Sequence, residues 1–189
     1  MRVILDAFIA SFTENLTAQI VGMVALLINV LSYQFNERKK ILTMQFFSGA
    51  FFTLHYFLLG AYAGAVSNLL SVLRALCFTQ RGKLKWASHP ALPILFVVIS
   101  AISTVFTYQN LLSIVPAIAF TFNSVALWSN RPSTTRIFTI PNNSLFLIYN
   151  IANASYSGII SDTFVLVSLL IAFIRFDILK KPVKEKNAD

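Results

Sequence analysis

Charged residues are scarce in this sequence: only 12% of its 189 residues are Asp, Glu, Lys or Arg, whereas 57% are apolar. Soluble domains carry about 25% charged and about 45–50% apolar residues. Phenylalanine alone occurs 18 times. The composition therefore excludes an ordinary soluble domain and predicts an all-α membrane protein that forms a single membrane domain over residues 1–189.

Cysteine and histidine are almost absent, since the sequence has one cysteine, Cys77, and two histidines. A single thiol excludes an internal disulfide, and these three side chains are too few for a closed zinc site. The sequence also has no paired acids, no HExxH motif and no nucleophile–base motif. We therefore expect no metal, no other cofactor and no enzymatic activity.

Long apolar runs are what the sequence does contain. A helix needs about 20 residues to cross a bilayer, and seven runs approach or reach this length, with short polar loops between them. They cover residues 16–34, 41–59, 65–80, 90–108, 111–128, 137–151 and 159–179. We predict about seven transmembrane helices. Because Asp6 interrupts the apolar start of the chain, residues 1–15 are interpreted as an interfacial helix or an extension of the first span, not as a signal peptide.

Positive charge is confined to alternate loops. Lys and Arg follow the first, third, fifth and seventh runs, whereas the other internal loops have none. The positive-inside rule therefore places the N terminus outside and the C terminus in the cytoplasm. The same cations account for most of the net charge of +8, as topology determinants or contacts to anionic lipid, so we expect the bilayer as a partner and no nucleic acid.

An internal repeat is visible when the chain is shifted on itself by 94 residues. The shift sets AYAGAVSN (61–68) against SYSGIISD (155–162), which pairs Asn68 with Asp162, and it also pairs Asn29 with Asn123. It carries the first three runs onto the last three. We predict two parallel three-helix repeats, 16–80 and 110–179, joined by a linker helix at 90–108 in a 3+1+3 arrangement. The alternative is chance similarity combined with the shared needs of outward turns.

Arg74 is the most demanding polar residue within a predicted span. It lies ten residues after Gly64, or about 15 Å into a core of about 30 Å. An arginine at this depth usually faces a bundle interior, a partner or a watery cavity. We predict that Arg74 faces a polar cavity between the repeats, the alternatives being snorkelling and structural bonds to helix carbonyls.

Other polar side chains in the spans are candidates for the same substrate-binding cavity. The repeat-related Asn29 and Asn123 are joined by His55, Asn68 and Ser168. For each of them the alternative is a structural hydrogen bond between helices. Pro116 and Pro141 are candidate hinges, because each removes a backbone donor and can bend a helix; a static packing kink is the alternative.

One segment carries a family resemblance. The sequence LHYFLLGAYAGAVSNLLSVLRA (54–75), preceded by NVLSYQFNERKKIL, resembles the YgjV family of bacterial inner-membrane proteins. The resemblance rests on His55, the FLLG ending at Gly60, Tyr62 and Arg74 after a basic loop. That family is distantly similar to the SWEET, semiSWEET and PQ-loop transporters, although no Pro-Gln pair occurs in the first or fifth run. The resemblance implies that the protein lies in the bacterial inner membrane and has an alternating-access fold.

Two functions from different classes follow. The first is a carrier for a small polar metabolite, neutral or singly anionic, that works by alternating access between the two repeats. The second is a membrane receptor or assembly partner that uses the same fold without transport. A dry midplane without a cavity would favour the second. The sequence leaves a homo-oligomer open.

Overall fold

The computed structural model describes residues 12–32, 38–129 and 131–179, and within these ranges all regular secondary structure is helical. Short 3₁₀ helices occur at Trp86–Ser88 and Leu111–Ile114, and a π-helical turn, Ile174–Ile178, extends the last helix. The longer helices are α1 (Leu16–Ser32), α2 (Arg38–Leu58), α3 (Tyr62–Thr79), α4 (Ala91–Phe106), α5 (Val115–Trp128), α6 (Pro132–Ala152) and α7 (Tyr156–Phe173).

Six of these helices form a closed ring. Along the chain α1 packs on α2 and α2 on α3, while α5 packs on α6 and α6 on α7. The ring closes because α3 also contacts α5, and α7 contacts α1. The remaining helix, α4, packs on both α3 and α5 where these two meet. We call α1, α2, α3, α5, α6 and α7 the helix ring.

The helix pattern repeats with the 94-residue offset. Shifting α2 by 94 residues gives 132–152 and shifting α3 gives 156–173, which are the bounds of α6 and α7. The contacts repeat too, because the α1–α7 and α3–α5 interfaces are equivalent under the shift. The spatial superposition of the two sets of helices stays a prediction.

The turns that join the equivalent helices also match. Between α2 and α3, Gly60 has a φ of +69°, and its equivalent between α6 and α7, Ala154, has a φ of +50°. The backbone bond from Ala61 N–H to the Tyr56 carbonyl is repeated from Ser155 N–H to the Asn150 carbonyl, and both measure 2.9 Å. A non-glycine residue rarely adopts positive φ, so this turn geometry belongs to both halves.

Burial follows the pattern expected of a lipid-facing protein. Small residues such as Ala25, Ala119 and Ala126 are fully buried, whereas Val105 and Phe106 are 76% and 85% exposed. Small residues allow membrane helices to approach closely. Large apolar side chains on the outside suit contact with acyl chains and would promote aggregation in water.

The lengths of the helices support membrane crossing to different degrees. By length and composition, three segments can span a bilayer: Tyr62–Thr79, Leu111–Trp128 and Tyr156–Ile178. Three further helices are apolar but shorter, at Leu16–Leu31, Phe46–Leu58 and Ala91–Phe106. Helix α6 belongs to neither group. The chain is therefore a helical membrane protein, and the expectation of about seven spans stays a prediction.

Several expectations concern residues outside the described ranges. They are residues 1–11 of the segment 1–15 that is expected to be an interfacial helix or an extension of the first span, part of the first basic loop at 33–37, and the basic segment at 180–186.

Candidate functional site

A cavity of about 380 Å³ lies inside the helix ring, since all six ring helices contribute to its wall. Its polar lining is dominated by amides and hydroxyls. The asparagines are Asn29, Asn68, Asn123, Asn142 and Asn143. The hydroxyl residues are Ser48, Tyr56, Ser71, Thr79 and Ser161. Asp162 is the acidic member of the lining.

The lining contains residues that the 94-residue shift relates in pairs. Both members line the cavity in each of six pairs. The pairs are Asn29 with Asn123, Ser48 with Asn142, Gly49 with Asn143, Phe52 with Phe146, Asn68 with Asp162, and Ser71 with Val165. The cavity therefore lies between α1–α3 on one side and α5–α7 on the other.

Three of the residues predicted from the sequence therefore share this cavity: Asn29, Asn68 and Asn123. Asn68 also donates a hydrogen bond of 3.1 Å to the Gly49 carbonyl, which holds its side chain between α3 and α2. The predicted hinge Pro141 lies inside α6 and is followed directly by Asn142 and Asn143, which line the cavity.

Arg74 is completely buried but is not among the residues that line the cavity. Its Nη1 donates to the Phe120 carbonyl at 3.1 Å and to Ser124 Oγ at 2.5 Å. The guanidinium carbon lies 4.1 Å from the centre of the Phe120 ring. The neighbouring Ala75 does line the cavity, because one residue along a helix turns the side chain by about 100°. Arg74 therefore bonds within the α3–α5 interface, and the expected contact with the cavity does not occur.

His55 is also fully buried and lies outside the cavity lining. Its Nδ1 lies 2.7 Å from the Ala18 carbonyl, and its Nε2 lies 2.8 Å from Ser155 Oγ and 3.3 Å from Ser157 Oγ. Because a carbonyl only accepts, Nδ1 carries the proton that is donated to Ala18, and Nε2 of the neutral ring accepts from a serine hydroxyl. His55 thus connects α1, α2 and the start of α7.

Ser168 and Pro116 do not reach the cavity either. Ser168 is exposed and donates a hydrogen bond of 2.9 Å to the Phe164 carbonyl of its own helix. Pro116 occupies the first turn of α5, where its missing N–H leaves no helical bond broken. This position removes the physical reason for expecting a kink within that helix.

A cluster of polar side chains lies near the starts of α3 and α7, and its member Tyr56 lines the cavity. We call it the closing cluster: His55, Tyr56, Tyr149, Asn150 and Ser155. Tyr56 donates to Asn150 Oδ1 at 2.9 Å, between positions that are equivalent under the shift. Tyr149, the equivalent of His55, accepts from the Gly64 N–H at 3.0 Å. A Cβ on Gly64 would lie 2.6 Å from the Tyr149 ring, so glycine is required for this close approach. The cluster joins each half to the start of the third helix of the other half.

Asp162 is the acidic residue among the cavity residues that the predicted site did not include. Its Oδ2 accepts from Asn150 Nδ2 at 2.7 Å, so it extends the closing cluster into the cavity. The other carboxylate near the same helix, Asp177, forms an ion pair of 2.6 Å with Arg136. Among the described residues no Lys or Arg pairs with Asp162 in this way. The repeat contained the signal, since it pairs Asp162 with the predicted Asn68.

Comparison with known proteins gives one assignment. The model of a family described as bacterial inner membrane protein, Imp-YgjV, matches residues 16–180. The chain belongs to this family. The match covers every helix of the ring together with α4, so the cavity lies wholly within the YgjV-type region of an inner-membrane protein. No curated protein and no solved structure matches the chain.

Proposed function

We propose that this YgjV-family protein is a carrier for small polar solutes, working by alternating access between two three-helix units at 16–80 and 110–179. The observation that carries the proposal is the cavity inside the helix ring, to which both units contribute amide and hydroxyl side chains at repeat-related positions. Solute sites of carriers built from repeats lie at the interface of the repeats. The alternative of a receptor or assembly partner predicts a dry midplane, so the cavity favours transport.

The proposal that the two units are parallel repeats is supported at three levels. The bounds of α2 and α3 recur in α6 and α7 at the same offset. The positive φ at Gly60 recurs at Ala154. The contact between α3 and α5 recurs between α7 and α1. We propose α4 as the linker that restores the direction of the chain between them.

The position of the closing cluster suggests which side is open. The cluster lies where α3 and α7 begin, and the positive-inside rule assigns this end to the outside. At the other end the cavity reaches Thr79, the last residue of α3. We therefore propose that the structure represents an inward-facing state, in which the closing cluster is the external gate. The N terminus is then outside and the C terminus cytoplasmic.

The predicted site residues take separate roles in this proposal. Asn29, Asn68 and Asn123 contact the solute. Pro141 supplies flexibility beside the cavity, because a proline within a helix leaves the carbonyl four residues before it without its usual donor. Arg74 and His55 position helices at the two interfaces between the units. No catalytic residue and no cofactor is proposed.

An uptake screen tests the carrier proposal. Purified protein in proteoliposomes is offered small polar metabolites, and accumulation is compared with that in protein-free liposomes. We expect saturable uptake that falls at least about tenfold when Asn29 and Asn123 are both changed to Ala, because two solute contacts are lost. Ser168→Ala, on the outer surface, is the matched control and keeps wild-type uptake. A double variant that transports like the wild type would contradict the site, and absence of any uptake by the wild type would contradict the carrier.

A further inference from the structure

The charge of the cavity lining distinguishes between classes of solute. Asp162 supplies a carboxylate, whereas none of the described residues that line the cavity is Lys, Arg or His. The buried guanidinium of Arg74, which would attract an anion, is held by Phe120 and Ser124 in the α3–α5 interface. Among the described lining residues, the ionisable group suited to hold an ion of opposite charge is therefore an acid, whose partner is a cation.

Asp162 is only partly satisfied by its protein contacts. One oxygen, Oδ2, accepts the hydrogen bond from Asn150, although a carboxylate offers about four acceptor sites. An ionisable side chain at membrane depth is costly unless it is paired or faces a polar cavity. Asp162 faces such a cavity, so a cation that enters there gains a buried partner.

The rest of the lining suits a small organic cation. Phe52 and Phe146, which are equivalent under the repeat, lie in the wall together with Tyr56. Aromatic faces attract ammonium groups through their quadrupoles. The five asparagines supply donors and acceptors for hydroxyl or amide groups on the remainder of the molecule. A volume of about 380 Å³ lies near the lower end of the range for small-molecule sites.

We propose that the cavity binds a small metabolite that carries an ammonium group, with Asp162 as its counter-ion. This replaces the expectation of a neutral or singly anionic solute, which depended on Arg74 facing the cavity. The inference names the substrate class of the proposed carrier. Transport of the amine rests on the carrier proposal, whereas its binding in the cavity does not.

Matched sets of probes test the charge preference directly. Ethanolamine, ethylene glycol and glycolate form one set, and glucosamine, glucose and glucuronate form another; within each set the members differ chiefly in charge. Binding is measured as the shift in unfolding temperature of the purified full chain in detergent. We expect the amine of at least one set to stabilise the protein, and its alcohol and carboxylate to have no comparable effect.

Two variants separate a counter-ion from a structural role. Asp162→Asn keeps the size of the side chain and should weaken amine binding at least about thirtyfold, as expected when one partner of a buried charge pair is removed. Asp177→Asn removes the ion-paired carboxylate outside the cavity lining and should leave amine binding unchanged. The exchange Asn68→Asp with Asp162→Asn moves the carboxylate to the equivalent position and should restore part of the affinity.

The outcomes distinguish this inference from the carrier proposal. Amine binding that needs Asp162, without uptake in proteoliposomes, would support the site and contradict transport. Uptake of neutral or anionic probes in preference to amines would support transport and overturn the inference. The inference would also be overturned if no amine stabilised the protein, or if Asp162→Asn bound amines like the wild type.

Discussion

The two interfaces that close the helix ring, α3–α5 and α1–α7, are related by the 94-residue shift but differ in side chains. Polar contacts bridge the α3–α5 interface along its length, from Ser67 with the Pro116 carbonyl, through Arg74, to Arg81 with the Trp128 carbonyl. Helix α4 packs against the same two helices. Beside the α1–α7 interface, Gln19 of α1 donates to the Ala154 carbonyl in the turn before α7, and His55 of α2 reaches Ser155, which directly precedes α7.

Side chains at equivalent positions of the two interfaces therefore make different contacts. The equivalent of Arg74 is Ser168, which is exposed and bonds within its own helix. An interface that polar contacts bridge at several points resists separation more than an interface that they bridge at one end. In the proposed carrier, α3–α5 is therefore the fixed interface, and α1–α7 is the interface that opens.

The largest expected effect comes from removing the anchor of the fixed interface. Arg74→Ala deletes a fully buried side chain together with its two hydrogen bonds and its contact with Phe120. We expect a loss of about 3 kcal/mol in the free energy of unfolding in detergent. The equivalent change, Ser168→Ala, should alter stability by less than about 0.5 kcal/mol. If both variants lost the same free energy of unfolding, the side chains at these equivalent positions would contribute equally to stability, which contradicts the proposed difference.

At the α1–α7 interface we expect a smaller effect on stability, together with easier access to the cavity from outside. His55→Ala removes the link between Ala18 and Ser155 and should cost about 2 kcal/mol. In a Cys77→Ala background, a cysteine at position 161 in the cavity should then react faster with a membrane-impermeant thiol reagent added outside. The same cysteine combined with Ser168→Ala provides the control. Unchanged labelling after His55→Ala would contradict the gate role of the closing cluster.

The smallest effects sharpen the comparison between the two turns. Gly60→Ala places a side chain at a φ of +69° without any neighbour within 4 Å, so the expected loss of about 1 kcal/mol is purely conformational. Ala154→Gly relieves the equivalent strain and should stabilise the protein by up to about 1 kcal/mol. The unfolding temperatures of the two variants, each compared with that of the wild type, measure these changes in stability. Shifts of the same sign would mean that the two turns do not share one backbone geometry.

The sequence predicted where helices lie because an apolar run is a local signal, and the repeat offset added a second, long-range one. The predicted first run begins at Leu16, where α1 begins. The sixth run was expected from residue 137, but α6 begins at Pro132, because proline is favoured in the first turn and the polar residues after it are compatible with a helix.

The side-chain arrangement of the site was harder to predict. The repeat identified Asn29, Asn68 and Asn123 because two equivalent polar positions facing each other define a shared space. The depth of Arg74 was readable from the sequence, but its direction was not, since neighbouring residues on one helix face different partners. Asp162 is absent from the predicted site, although the repeat pairs it with Asn68.

In the proposed carrier, the α1–α7 interface opens at the outside while the α3–α5 interface stays closed. Spin labels at Ile20 and Thr163 report on the first interface, and labels at the equivalent Ile114 and Leu69 report on the second; all four positions are exposed. Pulsed electron–electron resonance in nanodiscs should give two distance populations for the 20–163 pair, with the longer one several ångströms beyond the distance in this structure, and a single population for the 69–114 pair. A change at 69–114 equal to or larger than that at 20–163, or no second population in either pair, would contradict the account.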